Sequence, residues 1–468
     1  MNQQQLKFLL LCLLVMVTSG CAVNTGDDKV FISEKIQTIT EQSLSQPLTQ
    51  AEQEIAATRV RQLLSQPLSL DQAVEIAILN SPAIQAELWS LGIAQADLQQ
   101  LSSIPNPGVK ISRDIGSDAS TELEFGFNLL ALITLPKVRD IARQEFEVKR
   151  LATAQRISSL IHNTKIDYWQ AVAASEVLAY LEKVQPGTEA TAELAKRMAA
   201  TGNFNKLQFL REQSFLSDST LQLALARQAH VSSLQKLRRQ LGLWQLSLPL
   251  ILPERLPQVP AKQPPVAEIA QQSLSNRLDI QLATMQLTKL AAELQLTKAT
   301  RLVNVFEGEI SGNLDDSSER SYSLIFELPL FDTGEYRLNQ QQARYQQAFA
   351  EASAVGVNAR AELQQNLYNY QIHHDIALHY QHTVLPIAQQ ISEENQLLYN
   401  GMFISVFELL ADARSQISAV TRAIEANRDY WVAKAELEMA QIGTPDSNFP
   451  TQLSQPSSAP AAKKKAGH

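Results

Sequence analysis

The chain has 468 residues, 45% of them hydrophobic and 19% charged, a composition that folds rather than stays disordered. A net charge of −8 argues against nucleic acid as a partner, and scarce Gly beside abundant Ala, Gln and Leu favours helix. Both cysteines, Cys12 and Cys21, fall in the first 21 residues, so they offer the body of the chain no disulfide, thiol nucleophile or cysteine metal site.

Residues 1–20 read as a secretory signal. Lys7 precedes an apolar run from Phe8 to Val17, too short to span a bilayer as a helix. Thr18-Ser19-Gly20-Cys21 follows, and the small residues before Cys21 resemble a bacterial lipoprotein signal, with Cys21 acylated as the first mature residue. Thr18 departs from the aliphatic residue usual there, so ordinary cleavage stays open. Ala22, rather than Asp, suits sorting to the outer membrane. Residues 21–68 form a polar, Gln-rich N-terminal segment.

Residues 69–243 form the first of two repeats. Ser69 or Asp71 opens a helix from Ala73 to about Leu101, which Ile104-Pro105-Asn106-Pro107-Gly108 stops. A β-hairpin over 106–130 turns near Gly116–Ser120. Its return strand sets Leu123, Phe125, Phe127 and Leu129 on one face and Glu122, Glu124, Gly126 and Asn128 on the other. A long helix from Pro136 to Ala200 carries Pro186, which should kink it. Gly202 ends it, and a return helix runs from about Asn205 to Leu241.

Residues 244–265, with six prolines, read as an extended linker. Residues 266–443 then repeat the unit: a helix at 266–300, a hairpin over 303–330 turning at Leu314–Ser318, a long helix to about Asn400, and a return helix from Ser405 to Ile442. Landmarks keep an offset of about 200 residues: Phe127 with Phe326, Tyr168 with Tyr368, Pro186 with Pro386 and Gly202-Asn203-Phe204 with Gly401-Met402-Phe403. Residues 444–468, rich in Pro, Ser and Ala and then Lys463-Lys464-Lys465, read as a disordered tail. Strands of ~9–11 residues suit a soluble sheet or a tilted bilayer crossing. Four strands cannot close a barrel and an open edge cannot sit in lipid, so a spanning barrel requires several copies.

The duplicated helix–hairpin–long helix unit, the cysteine at 21 and Leu398-Tyr399-Asn400-Gly401-Met402-Phe403 followed by Leu409-Leu410-Ala411-Asp412-Ala413-Arg414 together resemble the TolC-type outer-membrane efflux proteins, from about Leu70 to Gly443. The resemblance implies a mainly α fold with a small β part. It implies a homotrimer in which four strands per chain build a twelve-stranded transmembrane β-barrel on a long periplasmic α-helical barrel. It implies an exit duct in the outer membrane, lipid-anchored and extending into the periplasm, that serves a periplasmic adaptor and an inner-membrane pump. Gly202, Phe204, Gly401 and Phe403 would lie at the periplasmic tip turns, with Arg211, Glu212, Glu408, Asp412 and Arg414 as gate candidates. The family commonly has an acidic residue and then Leu-Asp-Ala; Glu408-Leu409-Leu410-Ala411-Asp412-Ala413 carries one residue more, which leaves open whether Glu408 or Asp412 faces the lumen.

With no phosphate loop, His-Glu-x-x-His or cysteine pair, the chain is expected not to be an enzyme and to need no cofactor. Glu122, Glu124, Glu307, Glu309 and Glu327, with Lys110, would give the pore an acidic lining that favours cations, or simply a wet one. Asp375, His379 and His382, four and three apart on one helix face, could touch a transition metal in a duct for heavy-metal ions; a solvated helix face is the plainer reading. The competing functions are a periplasmic coiled-coil adaptor and a structural lipoprotein without a pore. The twofold repeat and the hairpins disfavour the adaptor.

Overall fold

A computed structural model describes residues 50–115, 120–244, 250–262, 274–313 and 320–444. Cys21, the signal segment, both hairpin turns and the tail from 445 lie outside them. The elements in order are α1 (Gln50–Leu63), α2 (Leu70–Asn80), α3 (Pro82–Ser102), β1 (Gly108–Asp114), β2 (Ser120–Asn128), α4 (Leu129–Ala200) and α5 (Lys206–Gln240). A 3-10 turn (Leu274–Asn276), α6 (Leu278–Thr300), β3 (Phe306–Asn313), β4 (Arg320–Phe326), α7 (Glu335–His379), a π turn (Tyr380–Val384), α8 (Leu385–Asn400) and α9 (Val406–Ile442) follow.

Local chemistry sets the boundaries. Ser69 caps α2 by accepting from Gln72 N, and the Gln72 side chain returns the bond to the Ser69 N–H, a capping box. The expected single helix over 73–101 is two, because Ser81 takes an extended conformation and Pro82 opens α3 at a position where its missing N–H costs nothing. The long helix begins at Leu129 rather than Pro136, directly after β2, with Asn128 Oδ1 accepting from Ala131 N at 2.8 Å. The strands hold 7 to 9 residues, and only β2 reaches the expected length. Strand β4 stops at Phe326, and Leu328 O then accepts from Leu330 N at 2.8 Å around Pro329, which cannot donate to a ladder.

The two long-helix prolines are accommodated differently, which corrects the expectation of one shared kink. Pro186 sits inside the uninterrupted α4. Before Pro386 the chain forms a π turn, in which Leu385 N reaches Tyr380 O, five residues back.

The chain divides into two compact units, and each draws on both sequence repeats. One comprises residues 1–154, 238–251 and 280–357. It holds a four-stranded antiparallel sheet in the order β1-β2-β3-β4, in which the two hairpins join through β2 and β3. Its core includes Ala73, Val74, Ile76, Ala77 and Ile78 of α2, and Gly242 closes against α2. The Gly242 φ is +68°, and a Cβ there would lie 2.3 Å from Asn80 O; Asn80 Nδ2 donates to Leu241 O at 2.9 Å.

The other unit comprises residues 155–237, 252–279 and 358–468. Its core gathers Val259, Leu363, Tyr370, Ala377, Tyr430 and Leu437, and Trp169 stacks on Trp431 at 4.9 Å. The part of the Pro-rich linker in this unit is held down: Leu256 and Val259 are buried, Trp431 Nε1 donates to Pro257 O at 3.1 Å, and His374 Nε2 lies 2.9 Å from Pro260 O. The last helix ends at a buried charge cluster. Arg277, 0% exposed, donates to both oxygens of Asp279, to Glu362 and to the carbonyl of Ala440. Thr444, expected in the tail, joins this cluster through Asp279 and Glu362.

Candidate functional site

Strand pairing sorts the sheet into two chemically different faces. Phe125 pairs with Val109 and Ile310, and Ile310 pairs in turn with Tyr322, so apolar side chains run across all four strands on one face. Many are exposed, Val109, Ile111, Ile310, Tyr322, Leu324 and Phe326 among them. The opposite face carries Lys110, Glu122, Glu124, Glu307 and Glu309, with Ile325 as its apolar member. Lys110 Nζ and Glu124 Oε2 lie 2.7 Å apart, and Ser323 Oγ donates to Glu309 Oε2 at 2.9 Å. Glu327 lies one residue past β4, its N–H directed at Val305 O. Among the described residues no helix is long and apolar enough to cross a membrane.

The turns that end α4 and α8 use the same backbone with different residues. After α4, Gly202 takes φ +77° and Asn203 N bonds Met198 O at 2.9 Å. After α8 it is Met402 that takes φ 59°, and Phe403 N bonds Leu398 O at 2.9 Å. Gly202 therefore corresponds to Met402, at an offset of 200, rather than to Gly401 as the sequence suggested. A left-handed position usually selects glycine, and methionine there obscured the alignment. Phe204 is buried, whereas Phe403 is 80% exposed and Met402 92%.

The structure brings together two of the five gate candidates. Arg414 Nη2 donates to Glu212 Oε1 at 2.8 Å, and the Arg414 guanidinium sits 4.3 Å over the ring of Phe215. Glu212 is only 3% exposed. Phe215 was missed by sequence reasoning, although its spacing from Glu212 places both on one face of α5. Arg211 is exposed. Glu408 serves the local fold instead. Its Oε2 accepts from Ser405 N at 3.0 Å and Ser405 Oγ accepts from Glu408 N, a capping box that starts α9. Asp412 lines a cavity of about 320 Å³ together with His379 of α7.

Among the described residues no three His, Asp or Glu side chains stand together to hold a metal ion. Asp375, His379 and His382 do not form a ligand set. The π turn that begins at Tyr380 changes the rotation per residue, so His382 leaves the line that a continuous α-helix would give it. Asp375 is paired with the buried His374, Oδ1 to Nδ1 at 3.3 Å.

In the second unit Glu176 has its carboxyl pushed above the usual range by burial, opposed by the Leu256 N–H that Oε2 accepts at 2.9 Å and by nearby Arg255.

The chain has the TolC-type fold, that of outer-membrane channels. It is similar to the solved structure of CusC, described for conformational changes accompanying folding and transmembrane channel formation, at 19% identity and TM-score 0.64, over 80% of this chain and 92% of that one. It is similar to the Campylobacter jejuni CmeC outer membrane channel at 17% identity and TM-score 0.67, over 80% and 85%. It is similar to the open state of the Neisseria gonorrhoeae MtrE outer membrane channel at 15% identity and TM-score 0.65, over 80% and 89%. No family model matches the sequence, and no curated protein matches it.

Proposed function

We propose that this chain is the outer-membrane exit duct of a tripartite efflux system, which passes substrates passively from an inner-membrane pump and a periplasmic adaptor to the outside. The observation that carries the reading is the sheet. One face is apolar and exposed, the other acidic, and β1 and β4 are its edges. Such a sheet is stable in lipid only when its edges are paired, and three copies joined edge to edge make a closed barrel of twelve strands. The apolar face then meets lipid and the glutamates line the pore. The channel fold shared with CusC, CmeC and MtrE supports the same reading.

On this reading Cys21 carries the acyl anchor, the protein sits in the outer membrane and reaches into the periplasm, and the exposed Met402 and Phe403 meet the adaptor. The acidic lining favours cationic cargo, heavy-metal ions included. The chain's part is conduction and not catalysis: it binds, selects by charge and gates. The Glu212–Arg414 pair ties α5 to α9 and favours the closed aperture.

The test is reconstitution of the purified chain in planar bilayers, with its mass measured in detergent. Trimers that conduct, with cations preferred over anions, support the duct. Trimers without conductance would turn the reading to a structural lipoprotein.

A further inference from the structure

We infer that the cavity between α9 and the stretch formed by the π turn Tyr380–Val384 and the start of α8 is a binding pocket for a protonated organic amine with an apolar body. This goes beyond conduction: it assigns a ligand site to the helix pair itself.

The cavity arises from a difference between the two repeats. Near Pro186 the space between α4 and α5 is filled by a hydrogen-bonded trio. Thr188 Oγ1 lies 3.3 Å from Ser219 Oγ, and Ser219 Oγ donates to Gln185 Oε1 at 2.9 Å. At the offset of 200 set by Pro186 and Pro386, these positions are Leu385, Ala388 and Ala419. Ala388 and Ala419 both line the cavity. The second repeat therefore lacks the polar side chains that close the first. It has also gained a π turn, which widens the helix on the side of the cavity.

The lining specifies the ligand. Val384, Ile387 and Ile391 give an apolar wall, and His379, Asp412 and Ser415 give polar groups. Asp412 Oδ2 is buried and accepts no hydrogen bond from the protein. A buried carboxylate oxygen left without a donor is costly, and an ammonium group supplies both the donor and the opposite charge. An anion would meet the Asp412 charge. A metal ion would find only His379 and Asp412 as strong ligands, too few for a closed site. A volume of about 320 Å³ suits a small one-ring amine.

The test reads binding and not conductance, so its failure is separable from failure of the duct. Phenethylamine, protonated at pH 7, is titrated calorimetrically into the full-length protein in detergent, with phenethyl alcohol as the uncharged partner of the same shape. The amine is expected to bind the wild-type protein. Ala388→Leu, which places an isobutyl group in the cavity beside Asp412, should abolish binding. Asp412→Asn, nearly the same in size, should weaken it about tenfold, equivalent to about 1.4 kcal/mol. Unchanged melting temperatures confirm that the variants fold, and Asp412→Asn carries the test if Ala388→Leu does not. No binding to the wild type, equal binding of the alcohol, or unchanged binding to Asp412→Asn overturns the site.

Discussion

Arg414 donates to Glu212 at 2.8 Å and leaves the second carboxylate oxygen, Oε2, buried and without a partner. The two residues stand on the return helices of the two repeats, α9 and α5, and Phe215 lies beneath the guanidinium. A carboxylate that is 3% exposed and held by one guanidinium from a neighbouring helix is left uncompensated wherever that helix withdraws.

Glu212→Gln keeps the shape of the side chain and removes its charge. A hydrogen bond to a charged group contributes about 1.5–3 kcal/mol, so its loss should raise the open-to-closed ratio roughly ten- to a hundredfold. Single-channel recording of the variant should show larger or longer openings. Arg414→Lys keeps the charge but loses the planar stack on Phe215 and should fall between wild type and Glu212→Gln. Conductance unchanged in both variants would remove this pair from the gate.

Gly242→Ala places a methyl group 2.3 Å from Asn80 O at a left-handed φ of +68°. The strain is of order 1–3 kcal/mol, and the junction of α2 and α3 at Asn80–Pro82 must shift to relieve it. A lower melting temperature is expected. At Gly187 nothing lies within 4 Å of an added Cβ, so Gly187→Ala in the interior of α4 should be neutral or stabilising.

Arg277→Met leaves Asp279 buried without its guanidinium, at a cost of about 3–5 kcal/mol in chemical denaturation. The double variant Arg277→Met with Asp279→Leu should lose less than the sum of the two single variants, because the buried Asp279 charge goes with its guanidinium, while the partly exposed Glu362 keeps Thr444. Additive losses would mean that the two groups act independently.

Burial raises the Glu176 carboxyl pKa in the folded state, against the Leu256 N–H bond and Arg255 that favour the charged form. An acid whose folded pKa lies above its unfolded pKa favours the fold while protonated. Its contribution is complete below the unfolded value and is lost as pH rises through the folded one. Glu176→Gln should therefore flatten the fall in melting temperature on going from acid to neutral pH, and should gain most at neutral pH. A variant curve parallel to wild type would show that Glu176 titrates normally.

The repeat, the hairpins and the long helices were legible because each rests on local chemistry. Period-two apolar spacing gave the sheet faces, and the register confirms that Glu122, Glu124, Glu307 and Glu309 share one of them. Ser69 announced a helix start, whereas the Ser405–Glu408 capping pair came to light only in the structure. Errors came where one residue type hides a conformation chosen by its surroundings. Met402 in a left-handed turn shifted the tip alignment by one residue. The π turn before Pro386 took His382 out of line with Asp375 and His379.

By itself the sequence determined the repeat, most of the helix and strand segments, and which strand face is apolar, because propensity, capping and side-chain alternation act over a few residues. Tertiary structure alone decided which charges meet. Glu212 and Arg414 are some 200 residues apart, and Gln155 and Thr444, where Nε2 donates to the carbonyl at 3.1 Å, are farther apart still. It also decided that Asp412 and His379 share a cavity, while Glu408 is taken up by a helix cap. Such pairings depend on the relative rotation of packed helices. A single π turn or one left-handed residue changes that rotation without leaving a mark in the hydrophobic pattern.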